Sequence, residues 1–172
     1  MTTLLFDRIT GPRGAPFEEV WIAVDGAKLV ALDFNGFEAR MRRLLAKRYA
    51  SVTFAEKSDP CGFAGRLRRY FKGELDVLDE IPVDTGGTAF QQAAWQALRT
   101  IPAGTMATYG EQAARVGRPS AVRAIGAANG QNPVAIVVPC HRVVGANGTL
   151  TGYAGGVETK HWLLRHEGAM LM

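Results

Sequence analysis

The stretch Thr108–Gly130, TYGEQAARVGRPSAVRAIGAANG, decides the architecture. Thr108 followed three residues later by Glu111 is a capping box, which starts a helix running to about Val116. Gly117-Arg118-Pro119 turns the chain, Ser120 can cap the next helix through Asn129, and Gly130 ends it. Two short helices about a glycine-containing turn make a helix-turn-helix. Upstream, Thr88 and Gln91 form a second capping box for a helix with Phe90, Ala94, Trp95 and Leu98 on one face, stopped by Ile101-Pro102-Ala103-Gly104.

Working outward, Glu19–Val24 and Lys28–Phe34 read as two strands joined by the turn Asp25-Gly26. Phe37–Tyr49 carries apolar residues at helical spacing (Phe37, Met41, Leu44, Leu45), and Phe63–Phe71 repeats the pattern more briefly. From Gly73 to Gly87 the periodicity fails and acidic, Pro and Gly residues accumulate, the mark of a join. The expected fold class is α+β: a small N-terminal unit of helix and sheet over 1–83, and a mainly helical, winged-helix-like unit with the helix-turn-helix over 84–172.

Composition is that of an ordinary soluble chain, with 47% hydrophobic and 21% charged residues among 172. No basic leader precedes Leu4-Leu5-Phe6 and no apolar run has the length of a spanning helix, so a cytoplasmic address and no membrane partner are expected. Cys61 and Cys140 are too few for a disulfide framework, and their spacing to the histidines matches no common zinc pattern. The net charge is +4, and its excess lies after Val83, where seven basic residues face four acidic ones. Such an excess permits contact with a polyanion without demonstrating it.

The second helix of the pair lacks the side chains of a major-groove reader. Ala121, Ala124, Gly126, Ala127 and Ala128 dominate it, leaving Arg123 and Asn129 as its long or amide polar side chains, with Val122 and Ile125 expected in the core. One reading is close packing against a neighbouring helix. The other is a minor-groove helix that senses duplex shape, with Arg123 as its single probe.

Asn132–Val144 reads as a buried apolar strand that ends at Pro139 and presents Cys140 and His141. A free thiol has a pKa of about 8.5, so a nucleophilic cysteine needs a base or cation that lowers it. His141 and Arg142 are the local candidates, although neighbours on an extended chain point to opposite faces. The alternative for Cys140 is a small buried hydrophobe, and Cys61, with no histidine nearby, takes that structural role. By default His161, His166 and Glu167, in a final helix over 158–167, are partly exposed or solvated.

The run Pro139-Cys140-His141-Arg142-Val143, preceded by Asn132-Pro133, resembles the active-site motif of the O6-alkylguanine-DNA alkyltransferases, the methylated-DNA–protein-cysteine methyltransferases. The likeness extends to Thr108–Glu111, Val122–Gly126, Gly152–Gly156 and Trp162–Gly168, and in the first half only loosely, as in Tyr70–Leu75. The resemblance implies single-turnover transfer of an alkyl group from O6-alkylguanine in double-stranded DNA to Cys140, after the nucleotide swings out of the stack. Alkylated thymine is a second candidate substrate. Further roles follow from it. His141 takes the thiol proton through water, Glu167 orients His141, and Asn132 braces the turn before the active-site segment. Tyr109 donates to the departing guanine and crowds the phosphate, while Arg123 enters the gap in the base stack. Thr108, Ala121, Ala124 and Gly126 share the DNA-facing surface, and Val143, Tyr153, Ala154 and Gly155 line the base pocket. The unit over 1–83 becomes a support, that over 84–172 the DNA-binding and transfer domain, and the protein a monomer on DNA, with cooperative binding left open. Some members hold a structural zinc near the N-terminus through Cys and His; no histidine precedes His141, so neither metal nor cofactor is expected.

Two rival readings remain at the level of sequence. A silent DNA-binding module or regulator on the same helix-turn-helix would bind alkylated duplex without removing the label. A Cys-His hydrolase would turn over repeatedly, but no oxyanion-loop signature accompanies the pair.

Overall fold

β2 (Glu19–Asp25) and β3 (Lys28–Phe34) form an antiparallel hairpin closed by Gly26-Ala27, one residue beyond the expected turn, with Gly26 at φ +60°. A left-handed first loop residue matches the twist of the flanking strands and suits glycine. The computed structural model describes residues 1–170. β1 (Thr2–Thr10) pairs antiparallel with β2 and parallel with β4 (Val52–Glu56), so the sheet order is β3-β2-β1-β4. The sequence reading missed β1 because each of its faces is packed at only part of its length. Leu4 packs with Met41 and Leu45 of α1 (Glu38–Ala46), whereas Ile9 packs on the other side with Leu67 and Tyr70 of α2 (Phe63–Phe71). A strand packed partly on both faces shows no clean alternation.

The second half contains α3 (Ala89–Leu98), β5 (Ala107–Thr108), α4 (Tyr109–Arg115), α5 (Val122–Gly130), β6 (Val143–Val144) and α6 (Val157–His166), with β5 and β6 paired in parallel. Both capping boxes are formed, at Thr88/Gln91 and Thr108/Glu111. Helices α3, α4 and α5 meet around Ile125 through Ala94, Ala113 and Ala128, whose small side chains let the backbones approach. A pair of amide hydrogen bonds between buried Gln112 and Asn129, at 2.8 and 2.9 Å, locks the helix-turn-helix.

Two expectations for α5 are corrected, and the third observation agrees with Arg123 as its single probe. Its N-cap is Ala121, with no side-chain bond, because the chain at Gly117–Ala121 closes on itself through Ala121 N–H to Arg118 O, so Ser120 does not cap. Val122 is 41% exposed and lies outside the core. Asn129 is spent on Gln112, which leaves Arg123 as the one long polar side chain on the exposed face of α5.

The stretch 132–139 is buried as expected but is not a strand. Ile136 sits at φ +69° inside a three-residue turn closed by Val137 N–H to Ala135 O at 2.8 Å. A second such turn at Pro139 (φ −84°, ψ 65°) is closed by Cys140 N–H to Val138 O at 2.9 Å. A β-branched residue at positive φ is strained and persists only where its surroundings over-determine it. Here the Asn132 side chain supplies the constraint, accepting from Val134 N–H at 2.9 Å and donating to Val138 O at 2.7 Å.

The start of that segment also covers the edge of β3: Leu32 N–H donates to Pro133 O at 3.0 Å and Ala135 N–H to Leu32 O at 3.2 Å. One buried cluster runs from Ile9, Phe34 and Tyr70 in the first half to Val138, Cys140 and Leu163 in the second. Among the described residues no helix is long and apolar enough to cross a membrane.

Candidate active site

Cys140 opens a 3-10 turn, Cys140–Arg142, at the end of the strained segment. The turn replaces the extended chain on which Cys140 and His141 would have faced apart. Asn132 Nδ2 donates to Cys140 Sγ at 3.2 Å, a contact that favours the thiolate. Burial still pushes the Cys140 thiol up, against the Asn132 hydrogen bond and the positive charges of Lys160 and Arg40. The expectation of a lowered thiol is therefore corrected: with the sulfur this far from water, its ionisation depends on a base to receive the proton.

The neighbouring imidazole, His141, is arranged by Glu167, which is buried at the C-terminus of α6 and is not the solvated carboxylate expected by default. Its Oε2 accepts from His141 Nε2 at 2.8 Å, Arg142 Nη2 at 2.9 Å and Tyr70 Oη at 2.6 Å, and its Oε1 accepts from Arg142 Nε at 2.8 Å. Burial alone would raise this carboxyl, but His141 and Arg142 outweigh it and hold it well below the usual carboxylate range. An ionised Glu167 can only accept, so Nε2 of a neutral His141 carries the proton and Nδ1 keeps a free lone pair. Among the described residues His141 Nδ1 is a buried atom without a hydrogen-bond partner. Burial pushes the His141 imidazole down, opposing the pull of Glu167, which keeps the ring in its proton-accepting form.

A cleft of about 390 Å³ opens over the sulfur, lined by Tyr109, Gly126, Asn129, Gly130, Cys140 and the stretch Thr151–Ala154. Its size lies within the ~300–1,000 Å³ range of small-ligand sites. The Tyr109 and Thr151 hydroxyls are 2.8 Å apart, joining the start of α4 to the loop before α6. Lys160, whose ammonium is pushed down by burial and back up by Cys140, lies 5.8 Å from the Tyr109 ring centroid.

The structure thus gathers Cys140, Tyr109, Gly126, Tyr153 and Ala154 at one cleft, with Asn132 bonded to the sulfur and His141, the next residue, bonded to Glu167. Val143 is fully buried in the core and Gly155 backs onto the Phe34 ring, so neither lines the cleft. Arg123 and Ala124 are exposed on α5, with Thr108 and Ala121 partly so. Cys61 is exposed, with Sγ 3.4 Å from Gly26 O, and is not the buried hydrophobe expected. Lys160 and Tyr70 had no assigned role in the sequence, and Arg142 stood there as a cation for the thiol. Lys160 lies two helical turns before Glu167 on the same face of α6, a periodicity that pointed to it.

Glu167 also couples the site to stability. Its folded pKa lies below the unfolded value, so its stabilisation is complete above the ordinary carboxylate range and is lost as pH falls toward the lowered value. Glu167→Gln leaves the Arg142 guanidinium without its counter-charge, and chemical denaturation at neutral pH is expected to show a loss of about 3–5 kcal/mol. Between about pH 7 and about pH 3 the variant should then lose less stability than the wild type. Parallel pH profiles would contradict the assignment.

A family model described as the DNA-binding domain of 6-O-methylguanine DNA methyltransferase matches residues 89–169. The chain is 49% identical, over all of both sequences, to the methylated-DNA–protein-cysteine methyltransferase of Salmonella typhimurium. In structure it is similar to a variant of the O6-methylguanine methyltransferase of M. tuberculosis (TM-score 0.77, 38% identity, covering 96% of this chain and 93% of that one). It is also similar to Mycobacterium tuberculosis OGT in complex with DNA (TM-score 0.75, 36% identity, 95% and 92% covered). With its motif, fold and full-length likeness in agreement, the chain belongs to the methylated-DNA–protein-cysteine methyltransferase family.

Proposed function

We propose that this protein repairs DNA by direct reversal, moving a methyl or larger alkyl group from O6 of guanine in duplex DNA irreversibly to Cys140, once per molecule. The observation that carries the reading is the sulfur in the lining of a base-sized cleft, followed in the chain by a buried imidazole whose Nδ1 has no hydrogen-bond partner. The alkyl carbon lies on a base edge, and in-line attack by sulfur requires the nucleotide to leave the stack. The thiol proton passes through water to His141 Nδ1. The sulfur electron pair forms the S–C bond while the C–O6 pair returns to the purine, which takes a proton as neutral guanine, with Tyr109 as its donor. Lys160 and Asn132 favour the developing thiolate. The product is a thioether, which lacks the S–S bond through which thiols exchange. One turnover results.

The exposed residues of α5 fit a minor groove: Ala124 and Ala127 allow close approach and Arg123 projects alone. In this reading residues 1–83 support the site and residues 84–172 bind DNA and accept the alkyl group, as a cytoplasmic monomer. Thr108, Ala121 and Gly126 flank the entry to the cleft, while Val143 and Gly155 shape its walls from behind.

Incubation with a duplex carrying labelled O6-methylguanine should place one label per molecule on the peptide containing Cys140, and Cys140→Ser should abolish it. Repeated turnover, or label on Cys61, would reject the proposal. Arg123→Ala should slow repair of duplex DNA by tenfold or more while changing reaction with a free O6-alkylated purine by less than about twofold, since only the duplex needs its gap filled. Equal losses on the two substrates would remove Arg123 from that role.

A further inference from the structure

Tyr70 belongs to α2 in the first half of the chain, yet its hydroxyl donates to Glu167 Oε2 at 2.6 Å, the same oxygen that accepts from His141 Nε2. The residue is fully buried and held at both ends. Its carbonyl lies 2.8 Å from His166 Nε2, and its ring packs edge-on against the His166 ring, with centroids 5.1 Å apart. His166 is itself stacked on Trp162 at 4.8 Å. The end of α6 therefore delivers Glu167 and fixes the phenol that binds it.

We propose, resting on the reading of Cys140 as the alkyl acceptor, that Tyr70 is a positioning residue that sets the proton affinity of His141 through Glu167, so that the N-terminal half completes the active site. Burial and the adjacent Glu167 charge both hold the phenol in its neutral form, so it remains a donor wherever the protein works. Three donors share Oε2. Removing one returns negative charge to the other contacts, and of the groups that make them His141 is the one whose protonation changes in the reaction. The charged and titratable groups around this pair are Arg142 and Cys140 on the same turn, Lys160 and His166 on α6, and Tyr153 on the preceding loop. Among the described residues Tyr70 is the donor to Glu167 from residues 1–83.

The sign follows. Without the phenol, Glu167 attracts the His141 proton more strongly, the imidazolium persists to higher pH, and neutral His141 is scarcer when the thiol proton must be received. A stronger phenol donor has the opposite effect.

Two variants of the full chain test this: Tyr70→Phe, and the isosteric replacement of Tyr70 by 3-fluorotyrosine, whose phenol is more acidic. The His141 imidazole is titrated by 15N NMR, and the single-turnover rate on an O6-methylguanine duplex is measured against pH. Tyr70→Phe should raise the His141 midpoint by about one pH unit, carry the acid limb of the rate profile up with it, and slow transfer about tenfold on that limb. The fluorinated protein should move both downward. Unmoved midpoints in the two proteins, or a uniform rate loss with the wild-type pH profile, overturn the proposal. The His141 titration needs no DNA, so it judges Tyr70 whether or not the wild type transfers an alkyl group. Transfer by the wild type with an immobile His141 midpoint would leave the repair function standing and remove Tyr70 from it.

Discussion

The side chain of Glu167 has no exposure to water, and the arrangement of the site follows from keeping it charged there. An isolated buried carboxylate would take up a proton, because burial penalises the charged form by far more than folding could offset. Three side chains prevent that: a bidentate guanidinium from Arg142, the His141 ring and the Tyr70 phenol. Arg142 is itself tied down by a further bond from Nη1 to Ile101 O at 2.7 Å, and the Tyr70 ring by its packing on His166. A group satisfied in this way has one geometry. The imidazole inherits it, with one nitrogen committed to the carboxylate and the other left without a hydrogen-bond partner.

The second element is a coil wound around an amide. Asn132 takes up the backbone groups that a strand would have paired with a neighbour, and the chain from Pro133 to Pro139 turns twice within the core. Pro133 and Pro139 have no N–H to leave unsatisfied, which makes such a path tolerable. The strain at Ile136 lies four residues before the sulfur and is held there by packing on every side. Cys140 stays packed in the apolar cluster and still reaches the lining of the cleft. Burial works against ionisation of the thiol, and the Asn132 amide and the ammonium of Lys160 work for it; in the proposed reaction the relay through His141 adds to them.

What was legible in the sequence was local. The two capping boxes, the hairpin around Gly26 and the helix Phe63–Phe71 each depend on residues within a few positions of one another, and all are formed. β1 was hidden because each face is packed at only part of its length, and the run 132–139 was misread because a string of Val and Ile looks alike in a strand and in a buried coil. The site was half legible. Cys140 and His141 announce themselves as neighbours, while the reading of Glu167 came from resemblance and not from any pattern of its own. Tyr70 lies 97 positions from its carboxylate, and no local signal spans that separation. The extent of α5 was readable, but the fate of Asn129 and Val122 depended on which face met α3 and α4.

The central claim is that a buried carboxylate fixes the tautomer of one imidazole and thereby creates the base that frees the sulfur. The 15N chemical shifts of His141 in the resting protein near neutral pH report this directly. The account predicts a protonated, pyrrole-like Nε2 and a bare, pyridine-like Nδ1. The opposite tautomer, with the proton on Nδ1 and the lone pair aimed at Glu167, would contradict it.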